Sequence, residues 1–191
     1  NTVALWADSG VDRAAGAFQI PMTWFQSLNP LFVMLLTPPL LAYWRRHAHR
    51  ETRASLIRRM GVGAMIVGSA YLLLAGVAML SGAALAGWAW LGLFFLVLTF
   101  GELFILPTGL GLFARLAPPH LGATTVASWF LVIFTGSLSA GLVGTLWSRF
   151  EPSGYFLLLA MIAGLAAILL RAMSAVADPA GPAAKVAAES G

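Results

Sequence analysis

Five long stretches with almost no charge decide what this chain can become. Residues 14–44, 60–80, 87–114, 121–147 and 152–170 contain a single charged side chain among them, Glu102. Each matches or approaches the ~20 apolar residues a helix needs to cross the hydrocarbon core of a bilayer. Composition agrees: 60% of the 191 residues are hydrophobic and 9% are charged, where soluble domains run near a quarter charged. A soluble helical core would need polar helix faces that these runs lack. The expected fold class is an all-α membrane protein with five transmembrane helices, at about 21–44, 57–80, 87–114, 121–147 and 152–173. Pro21 suits the first turn of the first span.

The connections are short. Residues 45–59 are basic and are expected to carry a small amphipathic surface helix. Residues 81–86 are small and apolar, Pro118 and Pro119 stop a helix, and residues 148–152 make the last turn. Residues 1–20 are expected to be an extracytoplasmic loop following a helix that lies upstream. The chain starts at Asn1 and shows no signal-peptide pattern, so it is expected to be a fragment. Residues 174–191, rich in Ala, Pro and Gly, are expected to form a disordered cytoplasmic tail.

The net charge of +4 raises nucleic acid as a partner, but its distribution argues for a membrane. Six of the eleven basic residues fall between Arg45 and Arg59, flanked by uncharged runs. Five spans put nine basic residues on one side (Arg45, Arg46, Arg50, Arg53, Arg58, Arg59, Arg115, Arg171, Lys185) and two, Arg13 and Arg149, on the other. The positive-inside rule then makes the 45–59 loop and the C-terminal tail cytoplasmic. Trp44, Trp88, Trp90 and Trp147 stand near span ends, where interfacial aromatics belong. With no cysteine there is no thiolate metal site, and His47, His49 and His120 form no ligand pattern; no metal and no cofactor is expected, protons apart.

Glu102 is the residue that most asks for an explanation. A charge at bilayer depth costs about 2.5–3.5 kcal/mol on insertion scales, and removal from water favours the neutral form of a carboxyl group. Two roles follow, binding a cationic group and responding to protons; a structural bond to a neighbouring helix is the bland alternative. Pro107 lacks the N–H that would bond the Leu103 carbonyl, and Gly109 and Gly111 loosen the same turn, so this helix is expected to bend beside the charge. On the first span Gln26 and Asn29 share a face, to bond another helix or to hold a polar substrate, and Pro38-Pro39 is expected to break that helix. Ser128 and Trp129 lie in the hydroxyl-rich fourth span, the indole suited to lining a pocket or to packing. Small residues at fourfold spacing, Ala64/Gly68 and Gly136/Ala140/Gly144, permit close helix contacts. No phosphate loop, zinc-protease motif or nucleophile elbow occurs, and no nucleophile–base pair for a membrane enzyme is visible.

Three motifs in order carry a resemblance. Trp24-Phe25-Gln26-Ser27-Leu28-Asn29-Pro30-Leu31-Phe32 resembles the eighth-helix signature of the proton-dependent oligopeptide transporters, within the major facilitator superfamily. Gly101-Glu102-Leu103, Pro107-Thr108-Gly109-Leu110 and Leu116-Ala117-Pro118 look like the family's tenth helix, and Ser128-Trp129-Phe130-Leu131 like the start of its eleventh. Asp12-Arg13 resembles the loop after the seventh. The resemblance implies helices eight to twelve of a twelve-helix transporter whose N-terminal half lies outside this chain. It implies that Glu102 engages a peptide's amino terminus, that Asn29 assists, and that Trp129 lines the pocket. Leu106 stands where the family usually has serine, Arg115 where lysine is common, and Thr125, Val126 and Ala127 replace a Met-Gly-rich run. The function implied is proton-coupled symport of di- and tripeptides across the inner membrane, with small peptides and the lipid bilayer as partners. A same-fold transporter of an amino-acid derivative or nitrate, and a non-transporting scaffold or sensor, are the alternatives.

Overall fold

The structure, a computed structural model, describes residues 2–15, 18–47, 52–82, 85–118 and 120–177. Five long helices carry the bundle: α2 Met22–His47, α3 Arg53–Ser81, α4 Trp88–Leu116, α5 Gly122–Gly144 and α6 Pro152–Val176. All five are long and apolar enough to cross a membrane, and α5 is prolonged by a 3-10 turn at Thr145–Arg149. Their ends have local causes. Thr52 caps α3 by accepting a bond from the Ser55 N–H at 3.2 Å, offsetting the poor fit of Arg53 to a helix N-terminus. Gly82, at φ 53°, closes it in the left-handed region where glycine is at ease. α4 ends as Ala117 turns extended ahead of Pro118. Pro152 opens α6 at its first turn.

Several expectations change. Residues 1–20 are not all loop: a nine-residue helix, α1 Thr2–Gly10, buries Val3, Trp6 and Ala7 in the bundle, with Trp6 edge-on to Phe156 at 5.4 Å. Next, α2 runs unbroken through Pro30, Pro38 and Pro39. In lipid, broken backbone bonds have no water to turn to, so helical geometry persists where water would let it fail; Thr37 adds a bond from its hydroxyl to the Val33 carbonyl. Last, no separate amphipathic helix stands at residues 53–59, because the Thr52 cap draws them into α3. Residues 48–51, with His49 and Arg50, lie outside the described residues, as do Pro119 and 178–191 with Lys185. α6 includes residues 174–176, placed in the tail by sequence.

α3 is the hub, packed on α6 along one side and on α4 along another. Toward α6, a Cβ on Gly68 would lie 3.5 Å from the Ala160 carbonyl oxygen and from the Ala163 Cβ. Toward α4, a Cβ on Gly63 would stand 2.8 Å from the Gly101 carbonyl oxygen, and one on Gly101 would stand 2.9 Å from that of Gly63. Only two glycines allow the backbones so near. Apolar core fills one end of the bundle: Trp6, Leu74, Leu91, Phe94, Tyr155 and Phe156. A smaller cluster, Leu56, Ile57 and Leu112, fills the other. At the first end a two-residue parallel pairing, β1 Val11–Asp12 with β4 Ala86–Gly87, ties the opening segment to the α3–α4 connection. A short antiparallel pair, β2 Ala14–Ala15 with β3 Phe18–Gln19, and the Arg13–Asp8 ion pair at 2.7 Å brace the same segment.

Candidate functional site

Two spans meet at the mid-membrane carboxylate. Asn29 sits in the second turn of α2 and Glu102 midway along α4; the Asn29 amide Nδ2 donates to Glu102 Oε2 at 3.0 Å, and the bond is part-buried. A hydrogen bond to an ionised acceptor is about twice as strong as a neutral one. The partner on Oε2 is an uncharged amide. One amide uses one lone pair, so Oε1 and the rest of Oε2 keep their acceptor capacity. The carboxylate is aimed by a neutral partner and is left able to receive a cation.

What holds Glu102 in place is its neighbour. Gly101 is buried at the α3 crossing, so the backbone carrying the carboxylate is fixed against α3. Tyr71 of α3 packs on Phe94 at 5.5 Å and lines a cavity of about 500 Å³ with Tyr155 and Gly141. Neither Gly101 nor Tyr71 was a candidate from sequence. Gly101 pairs with a glycine on another helix, which no spacing within one helix reveals; Tyr71 shows nothing beyond an aromatic in an apolar run.

Trp129 is 6% exposed, on a helix otherwise turned outward. Its indole lies on Gly109, where any Cβ would overlap the ring, and its centroid is 5.4 Å from that of Phe113. Gly109 is seven residues from Glu102, about 10 Å along α4, so Trp129 stands two turns away rather than touching the carboxylate. Gly109 serves as the seat of this ring. Pro107 is exposed, and α4 continues through it as one helix. Gln26 is exposed on α2. Ser128 is exposed and returns its hydroxyl to the Thr124 carbonyl at 3.0 Å, so it stays within its own helix. Asn29 and Glu102 are thus brought together; Gln26 and Ser128 are not.

The class these features define is a multi-pass helical membrane protein with a carboxylate and an amide joined between two spans. The profile of the POT family matches residues 1–158. The chain is 34% identical over 143 residues to the peptide transporter YePEPT of Yersinia enterocolitica, covering 73% of this chain and 28% of that protein. It is 31% identical over 173 residues to a di-/tripeptide transporter of Lactococcus lactis, covering 88% and 34%. A solved POT family transporter in complex with 5-aminolevulinic acid superposes with TM-score 0.83 at 24% identity, over 91% of this chain and 36% of the other. A peptide transporter variant in complex with alafosfalin gives 0.78 at 26%, over 90% and 35%. This chain belongs to the POT family, with the major facilitator fold in the part it spans. It covers about a third of the length of the curated relatives it matches.

Proposed function

We propose that this chain is the C-terminal portion of a proton-coupled symporter of di- and tripeptides, working with an N-terminal half of the same transporter. The single observation that carries the reading is the Asn29–Glu102 bond: a carboxylate oriented by a neutral amide suits a peptide's ammonium group in a poorly solvated site. Its relatives in Yersinia and Lactococcus bear peptide and di-/tripeptide transporter names, which supports the same substrate class. Glu102 binds the peptide amino terminus, Asn29 orients the carboxylate and shares that end of the peptide, and Trp129 walls the pocket two turns on. The two halves rock around this midplane site, with Pro107 letting α4 flex at the freed Leu103 carbonyl. The basic connection and the tail face the cytoplasm, by the nine-to-two arginine and lysine split. A simple anion such as nitrate is disfavoured, since Glu102 repels it.

The test is proton-driven uptake of a labelled dipeptide by the complete transporter in proteoliposomes. Glu102→Gln is expected to lower uptake at least tenfold at equal protein level, with Asn29→Ala showing a smaller loss. Unchanged uptake by Glu102→Gln overturns the assigned role, and failure of dipeptides to compete against other amines redirects the substrate class.

A further inference from the structure

The cavity of about 500 Å³ beside Tyr71 draws its walls from four helices: Thr2 and Leu5 of α1, Tyr71 of α3, Gly141 and Gly144 of α5 and Tyr155 of α6. α5 explains the opening. It meets the other helices through Trp129 near one end and Val143 near the other. The face that lines the cavity stands off from them: a Cβ added at Gly141 or Gly144 meets nothing within 4 Å. With 3.6 residues per turn, Ala140, Gly141 and Gly144 span about 100° of the α5 surface, and Gly136 lies about 40° outside that arc. A face built of Ala and Gly lets another helix backbone come close.

α1 shows what fits there. Its inner face, Val3, Trp6 and Ala7, is buried in the bundle. Thr2 and Leu5, neighbours three residues apart on the helix surface, belong to the cavity wall. The docked face of α1 and the open space therefore form one continuous surface. A helix with its side chains is 10–12 Å across and advances 5.4 Å per turn, so one turn fills about 420–610 Å³, the size of this cavity. Tyr71 and Tyr155 bring two phenol hydroxyls to the wall, where a polar group on the occupant can meet them. We propose that the cavity seats a membrane-spanning helix of the complete transporter, continuous with α1 and running upstream from Thr2 along the Ala140, Gly141 and Gly144 face of α5. The inference rests on the reading that this chain works with an N-terminal portion of the same transporter. The chain covers about a third of the relatives it matches, and a transporter of that length has further protein to supply the helix. Seated there, the helix joins α5 to α3 and α6.

The test uses the complete transporter in native membranes. Gly141→Cys is combined with a cysteine at each of roughly eight positions upstream of Asn1 in turn, about two helical turns; this chain has no cysteine of its own. Disulfide formation under mild oxidation is read by mass spectrometry of the linked tryptic peptides. Upstream positions recurring every three or four residues are expected to link to Gly141→Cys at least tenfold more than those on the opposite face. If Gly141→Cys does not fold, Ala140→Cys takes its place and is read the same way. Linking without that period, or no linking while both thiols are labelled after unfolding, overturns the proposal and leaves lipid or water as the occupant. The result is separable from the substrate reading. Periodic linking without dipeptide uptake keeps the seat and removes the peptide assignment, whereas normal uptake without linking removes the seat alone.

Discussion

α3 and α5 carry the same kind of stripe and use it in opposite ways. On α3, Ala64 is 5% exposed and Gly68 is seated on α6. On α5, a Cβ added at Gly136 or Gly144 meets nothing within 4 Å, and Trp129 is its one buried residue among those described. Four α5 hydroxyls turn back on their own helix: Thr125, Ser128, Thr135 and Ser139 each return a bond to the carbonyl four residues back. Small residues at fourfold spacing therefore grant permission for backbones to approach; the facing helix decides whether they do. α3 has such neighbours on two sides, while α5 meets the rest of this chain through the Trp129 indole near one end and Val143 near the other, with Trp147 of the following turn edge-on to Tyr155.

That contrast can be broken in three places. The largest effect belongs to the glycine crossing. Gly101→Leu places a side chain against the Gly63 backbone, which has no rotamer to yield, and is expected to cost more than ~3 kcal/mol, beyond ordinary overpacking; loss of the folded peak in detergent size-exclusion chromatography and a lowered unfolding temperature check it. Next comes the buried indole of α5. Gly109→Ala pushes on the Trp129 ring, which has room to swing outward, so ~1–3 kcal/mol is expected, with a shift of tryptophan emission reporting displacement of the indole. The smallest is Gly136→Leu, expected within ~0.5 kcal/mol of the parent because the site is open. A loss as large as that of Gly101→Leu would reveal a helix seated on the α5 stripe in the complete transporter and would end the contrast.

The sequence made the spans legible because lipid demands uninterrupted apolar length, and each of the five helices falls on one of the expected runs. It also singled out Glu102 and Asn29, the first by its cost in lipid and the second as an amide in an apolar span, given its role by the family motif. Their direct hydrogen bond was not legible, since it joins residues 73 positions apart through a packing geometry that neither helix encodes alone. Pro38-Pro39 misled because the helix-breaking rule is strongest where water can satisfy the freed groups. α1 was hidden for another reason: nine residues are too few to form a stable helix by themselves, and only the buried Trp6, Ala7 and Val3 hold it.

The Gly63–Gly101 contact is placed where a fulcrum would be if α4 tips in the proposed transport cycle. If α4 tips on it by about 10°, a point fifteen residues away, some 22 Å along the axis, sweeps about 4 Å, whereas the backbone of Glu102, one residue from the pivot, moves only a few tenths of an ångström. The Arg115 end of such a lever would have a long stroke and the carboxylate almost none. In the proposed transport cycle, a peptide held at Glu102 would stay nearly still while the end of the helix swung past it.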